Sequence, residues 1–185
     1  LQFLHWINNL KMKQLQHQPL LQQDKLISIL AVDWYNFFME TKIPPPIVTL
    51  IFIFLIAFSN RLVEPFSFEY QTPLGVLIII GGLSILISAA RVFKQLETTI
   101  NPMQPSQASK LAIIGPFKYT RNPMYLGMSI MLMGFGLIFG AKLTICLVAL
   151  FVLYITFFQI MPEERAMHEK FTDWEDYCSK VRRWL

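Results

Sequence analysis

Cysteine and histidine are scarce in this chain, two and three among 185 residues. Cys146 lies deep in an apolar run and Cys178 in the charged tail, so a disulfide between them would demand an approach their surroundings disfavour. They read as a core filler and a free cytosolic thiol. His168 follows Glu164 by four positions and shares its helical face, but no second histidine or cysteine pair stands nearby to complete a metal site. A surface pair is expected, and no metal. Neither Gly-x-Ser-x-Gly nor His-Glu-x-x-His occurs, which removes the usual hydrolase signatures. Gly75, Gly81 and Gly82 follow no strand and precede no phosphate-binding lysine, so they read as helix-packing positions rather than a nucleotide loop. Met128, Met131 and Met133 read as packing or lipid-facing residues rather than a redox or copper set.

What the chain has in excess is apolar sequence. Hydrophobic residues make up 54% and aromatics 14%, against 15% charged residues, and the mean hydropathy is +0.45. That balance predicts an all-α integral membrane protein. The net charge of +4 would raise nucleic acid as a partner for a soluble domain. Here the cations flank apolar segments, so the partner is the bilayer and not nucleic acid.

Four spans are expected: Ile47 to Val63, Leu74 to Ala90, Met124 to Phe139 and Leu143 to Met161, the last two joined only by Gly140-Ala141-Lys142 as an antiparallel hairpin. A charged amphipathic helix should then run towards Arg182-Arg183-Trp184-Leu185. In this arrangement Arg61 and Lys142 fall on one side and the other 14 of the 16 lysines and arginines on the opposite side. Both termini and the polar connection from Arg91 to Ile114, long enough for a lid, would face the cytoplasm, with a bacterial inner membrane as the expected location.

Residues 1–38 carry a glutamine-rich patch from Gln14 to Gln23 and are an uncertain segment, with 39–185 as the membrane domain. Met39-Glu40-Thr41-Lys42-Ile43-Pro44-Pro45-Pro46 reads as a translation start followed by a proline stop, which would make 1–38 non-native upstream sequence. The competing reading is an interfacial helix over Leu26 to Met39, with Trp34, Tyr35, Phe37 and Phe38 at the headgroup level.

The chain is organised around Gly115-Pro116-Phe117-Lys118-Tyr119-Thr120-Arg121-Asn122-Pro123-Met124-Tyr125-Leu126-Gly127, a glycine- and proline-marked polar turn between apolar runs. Glycine, proline and two cations are costly there, so the turn reads as the floor of an active site. On the same face fall Gly134-Phe135-Gly136, Glu163-Glu164 and Arg182-Arg183-Trp184. Singly these suit helix packing, an acidic first turn and a cationic anchor. Together they suggest a site, because glutamates at a bilayer boundary need partners and Arg121 or Arg183 can supply them.

The turn, with Phe93, Thr98-Thr99, Asn101-Pro102, Glu163-Glu164, Phe171 and Arg183-Trp184-Leu185, resembles the isoprenylcysteine carboxyl methyltransferase and phospholipid methyltransferase superfamily in its bacterial branch. The resemblance covers roughly Ile43 to Leu185. It implies a membrane enzyme moving a methyl group from S-adenosylmethionine to a lipophilic acceptor: a prenylcysteine-like carboxylate, a lipid amine or another small lipophilic molecule. By matched position, Arg121, Glu164 and Arg183 would be catalytic. Tyr119, Asn122, Pro123, Tyr125, Gly134, Gly136, Glu163, Glu164 and Trp184 would hold the cofactor. Asn122 stands where the isoprenylcysteine enzymes commonly carry histidine; it can hydrogen-bond but does not titrate near neutrality. Thr172 stands where a glycine usually follows the phenylalanine.

A sulfonium donor leaves the protein mainly the task of alignment and water exclusion. A carboxylate or thiolate acceptor would need no base, whereas an amine would need one, and Glu164 is the expected candidate. Two other functions remain open on the sequence: an NADPH-dependent sterol-type membrane reductase, which shares a related Arg-x-Pro-x-Tyr turn, and a nonenzymatic assembly or transport subunit. Oligomeric state is open.

Overall fold

The computed structural model describes residues 43–97 and 110–185. The expectations for residues 1–38 and for most of the lid-like connection lie outside these described residues. Among them all regular structure is helical, with no strand. Helix α1 covers Pro45–Ser59, α2 Gln71–Gln95, α3 Pro123–Phe139 and α4 Thr144–Ile155. A π-helical stretch, Thr156–Ile160, carries α4 straight into α5, Met161–Lys170, and a short α6 covers Trp174–Lys180.

Helix α2, with 25 residues, and the continuous α4–α5 rod, with 27, are long and apolar enough to cross a membrane. Helices α1 and α3 stop at 15 and 17 residues, roughly 22 and 26 Å at the α-helical rise, short of a hydrocarbon core of about 30 Å. Local chemistry sets those lengths. Helix α1 starts at Pro45 and closes at Asn60; α3 starts at Pro123 and closes on Gly140 in the left-handed conformation, φ 65°. Only 17% and 28% of the apolar windows of the two long helices are buried. Leu50, Phe54 and Leu77 are each more than 60% exposed. Such a belt of outward apolar side chains would aggregate in water and suits lipid, which makes this a membrane protein. Cys146 belongs to that outer surface. It is not the core filler expected from the sequence, because its face of α4 meets no other helix.

The closest packing joins α2 to α3. A Cβ at Gly75 would come within 2.9 Å of the Gly134 carbonyl oxygen, and one at Gly82 within 2.6 Å of that of Gly127. The order of these pairs makes the helices antiparallel, and the missing side chains let the backbones touch. Gly81 meets nothing and is not part of that seam. Behind it Ile56, Leu132, Phe151, Ile155 and Ile160 form a sealed core, with Phe52 edge-on to Phe151 at 5.4 Å. Gln159, buried in the π-helical stretch, donates to the Ile43 carbonyl at 2.7 Å and ties the rod to the start of α1.

The expected C-terminal helix is broken in two. Its first part continues the fourth apolar run as α5, and the backbone turns extended at Phe171 before α6 begins. The break folds α6 back so that Trp174, Tyr177 and Val181 pack around Leu111, Met167 and Phe171.

Candidate active site

The polar turn is fastened from below by aromatic packing. Gly115 takes φ 61° and opens a 3-10 turn over Gly115–Lys118, which drops Phe117 into a pocket of Ala89, Val92 and Ala112. Phe93 meets it edge-on at 5.3 Å. The Tyr177 hydroxyl donates to the Phe117 carbonyl at 2.8 Å, docking α6 onto the turn. Burial raises the titration of that hydroxyl above its ordinary range, with the Arg121 charge opposing.

The chain then runs through Arg121 and Asn122 to Pro123, the first residue of α3. Here the C-terminal tail is laid across it. The Arg121 N–H donates to the Arg182 carbonyl at 3.0 Å. Thr120 Oγ1 and Asn122 Nδ2 both donate to the Arg183 carbonyl, at 3.2 and 2.9 Å. Trp184 Nε1 donates to Thr156 Oγ1 at 3.1 Å, at the start of the π-helical stretch. The tail has no helical bonds of its own here, so these contacts fix it.

That strap aims the Arg183 guanidinium at Glu164. Nε lies 3.2 and 3.1 Å from the two carboxylate oxygens and one terminal nitrogen 2.6 Å from Oε2. Hydrogen bonding to Glu164 raises the Arg183 pKa further. Arg121 completes the cluster, 3.1 Å from Glu164 Oε1 and 5.8 Å from the Trp174 ring centroid. Its Nε is buried without a partner. Glu163 points elsewhere: its Oε1 accepts the Tyr125 hydroxyl at 2.5 Å, at the edge of the sealed core that holds Tyr125 and Ile160.

Of the residues expected from the sequence, Arg121, Asn122, Pro123, Tyr125, Glu163, Glu164, Arg183 and Trp184 converge at this end of the bundle. Three do not join them. Tyr119 is 77% exposed. Gly134 lies eleven residues into α3, roughly 16 Å along its axis, where its missing side chain admits Ile79 and the Gly75 backbone. Gly136 lies further on and makes room for Thr144, which lets the α3–α4 hairpin close. Both glycines are packing positions in this structure, not parts of the cluster. Asn122 is buried and serves the tail carbonyl, so the asparagine amide does here what a titrating ring would not be needed for.

Thr120, Thr156, Trp174 and Tyr177 were not anticipated. Thr120 sits inside the signature turn, and Trp174 and Tyr177 stand three apart in the tail, a helical spacing that marks a docking face. Nothing local marked Thr156. An open cavity of about 310 Å³ adjoins the cluster, lined by Met161, Glu164, Arg165, His168, Trp174 and Arg183 among others, at the lower end of small-molecule sites. His168 pairs with Glu175 at 3.1 Å, not with Glu164. Among the described residues no group of three acidic, histidine or cysteine side chains could hold a metal ion.

An uncharacterized protein of Haemophilus influenzae is 41% identical over 63 residues, 34% of this chain and all of that protein. No solved structure matches the chain. A family model described as phospholipid methyltransferase matches residues 70–173, taking in α2, the polar turn, α3 and both glutamates. A match over more than half of the sequence, on a lipid-facing helical bundle, shows that the chain belongs to the phospholipid methyltransferase family and is a membrane methyltransferase in its general activity.

Proposed function

We propose that the protein transfers a methyl group from S-adenosylmethionine to a lipophilic acceptor at the cytoplasmic face of a bacterial inner membrane. The observation that carries this is the pairing of Glu164 with both Arg121 and Arg183 beside an open cavity, where two lipid-facing helices end. The donor set fits the cofactor. Its carboxylate suits the half-exposed Arg183 guanidinium, its ammonium and sulfonium suit Glu164, and the buried, unpartnered Arg121 Nε supplies a further donor. When bound, S-adenosylmethionine supplies a methyl group already activated for displacement. The chain's own work is to orient and to keep water out: Arg183 and Trp184 close the site from the tail, and Thr120 and Asn122 hold the tail in place.

Four passes, with α1 and α3 as the short ones, suit the charge distribution. Lys118, Arg121, Arg165, Arg182 and Arg183 gather at the cluster end of the helices, and Arg61 and Lys142 lie at the other.

The test is methyl transfer by the purified protein with labelled S-adenosylmethionine and a membrane lipid extract, alongside calorimetric titration with S-adenosylhomocysteine and with NADPH. Wild type is expected to bind S-adenosylhomocysteine and to label lipid; Glu164→Gln and Arg121→Ala are expected to lose both. Full activity in both variants would sink the site, and binding of NADPH instead would replace the activity.

A further inference from the structure

The tail that carries Arg183 has no helix to stiffen it, since α6 ends at Lys180 and Val181 is already extended. The polar turn holds it on one side, through the carbonyls of Arg182 and Arg183. Those bonds tie the tail to the start of α3. They do not tie it to the α4–α5 rod, which carries Glu164. Two contacts do: the Arg183 ion pair with Glu164, and the bond from Trp184 Nε1 to Thr156 Oγ1 at 3.1 Å. Thr156 and Glu164 are eight residues apart on the rod, roughly 12 Å at the α-helical rise, so neighbouring tail residues grip it at two separate places. The Trp184 ring also packs against the sealed core, and the hydroxyl gives that packing a direction.

The hydroxyl is itself oriented. Thr156 Oγ1 donates to the Val152 carbonyl at 2.6 Å, which turns its lone pairs to the indole N–H. That carbonyl also receives the Thr156 backbone N–H, so removing the hydroxyl strands no helix acceptor and costs only the grip on Trp184. The two grips differ in kind. An ion pair can pass from one carboxylate to another, and a ligand carboxylate that draws Arg183 from Glu164 would free the tail from the rod if nothing else held it. We propose that Thr156 is a positioning residue of the site, acting through Trp184 to keep the tail docked while Arg183 exchanges Glu164 for the carboxylate of S-adenosylmethionine. The proposal rests on the methyl-transfer reading above. Thr156 touches no ligand in this account; it sets the place from which Arg183 reaches one.

The experiment uses the full chain in nanodiscs and calorimetric titration with two probes, S-adenosylhomocysteine and 5′-methylthioadenosine, which keeps the nucleoside and thioether but lacks the amino-acid carboxylate. Thr156→Val is expected to weaken S-adenosylhomocysteine binding by about 5- to 10-fold, the scale of one lost hydrogen bond, and to leave 5′-methylthioadenosine at its wild-type affinity. Thr156→Ser, which keeps the hydroxyl, is expected to restore binding. Trp184→Phe removes the N–H from the other side and serves if Thr156→Val does not fold. It should show the same loss, and the double variant should lose no more than either single one, because both break one bond. Undiminished S-adenosylhomocysteine affinity in Thr156→Val, a loss that serine does not restore, or an equal loss for both probes would overturn the positioning role alone. Failure of the wild type to bind S-adenosylhomocysteine would instead overturn methyl transfer itself, and this role with it.

Discussion

At the end of the bundle away from the glutamates, the loop between α1 and α2 closes off α3 with neutral groups. Asn60 donates to the Phe139 carbonyl at 2.8 Å, Gln71 to that of Ile138 at 3.2 Å, and the Phe66 N–H to that of Gly140 at 2.9 Å. At the glutamate end the helices are joined instead by charges, Arg121 and Arg183 on Glu164. Helix carbonyls need donors wherever they emerge, and the amide nitrogens here meet that need, with Asn60 Oδ1 left buried and unpartnered. Guanidinium and carboxylate groups can exchange one partner for another, so the same stapling leaves capacity for a ligand. One end is therefore a seal and the other a candidate site, although both hold separate helices together.

The comparison breaks most sharply at Glu164. Glu164→Gln should cost at least about 100-fold in S-adenosylhomocysteine affinity, since it strands two guanidinium groups at once, and calorimetry measures it. Next is the seal. Gly140 holds a positive φ, and a side chain there would run into the Phe66 carbonyl, so Gly140→Val should destabilise the fold by about 1–3 kcal/mol. Thermal unfolding in detergent should show the loss, with the affinity of the folded fraction unchanged. Asn122→Ala loosens the tail without touching the ion pairs. It should cost about 1–2 kcal/mol in hydrogen bonding, seen as faster tryptic cleavage after Arg182 and Arg183 and a few-fold weaker cofactor affinity. The smallest effect belongs to Tyr119→Ala, which should leave S-adenosylhomocysteine affinity within about 2-fold, because an exposed surface substitution away from the cluster perturbs little. A large loss there would extend the site beyond the cluster described.

The amino-acid sequence carried the charged cluster better than it carried the end of α1. Arg121, Glu164 and Arg183 are legible because charges at the ends of apolar runs demand partners, and here they find each other. The positions of the apolar runs were legible for the same hydropathic reason, and α3 matches its expected run to within one residue. The end of α1 was not: the helix closes at Asn60, short of the expected Val63, and hydropathy does not register where backbone hydrogen bonding stops. Gly134 and Gly136 form a Gly-x-Gly pattern that suits either a close ligand or a close helix, and only the position of α2 and of Thr144 decides between them. The different partners of Glu163 and Glu164 were invisible for a related cause. Adjacent letters say nothing of which way each side chain turns.

That orientation has a source in the π-helical stretch Thr156–Ile160. A π turn accommodates one residue more than an α turn, and each residue of a helix is worth about 100° of rotation. The wide turn therefore acts as a phase corrector. Upstream, α4 keeps its apolar stripe in register with lipid; downstream, α5 is free to keep Glu163 on Tyr125 and Glu164 on the arginines. A single rod thereby serves two solvents, and the angle between its two registers is set by one surplus residue.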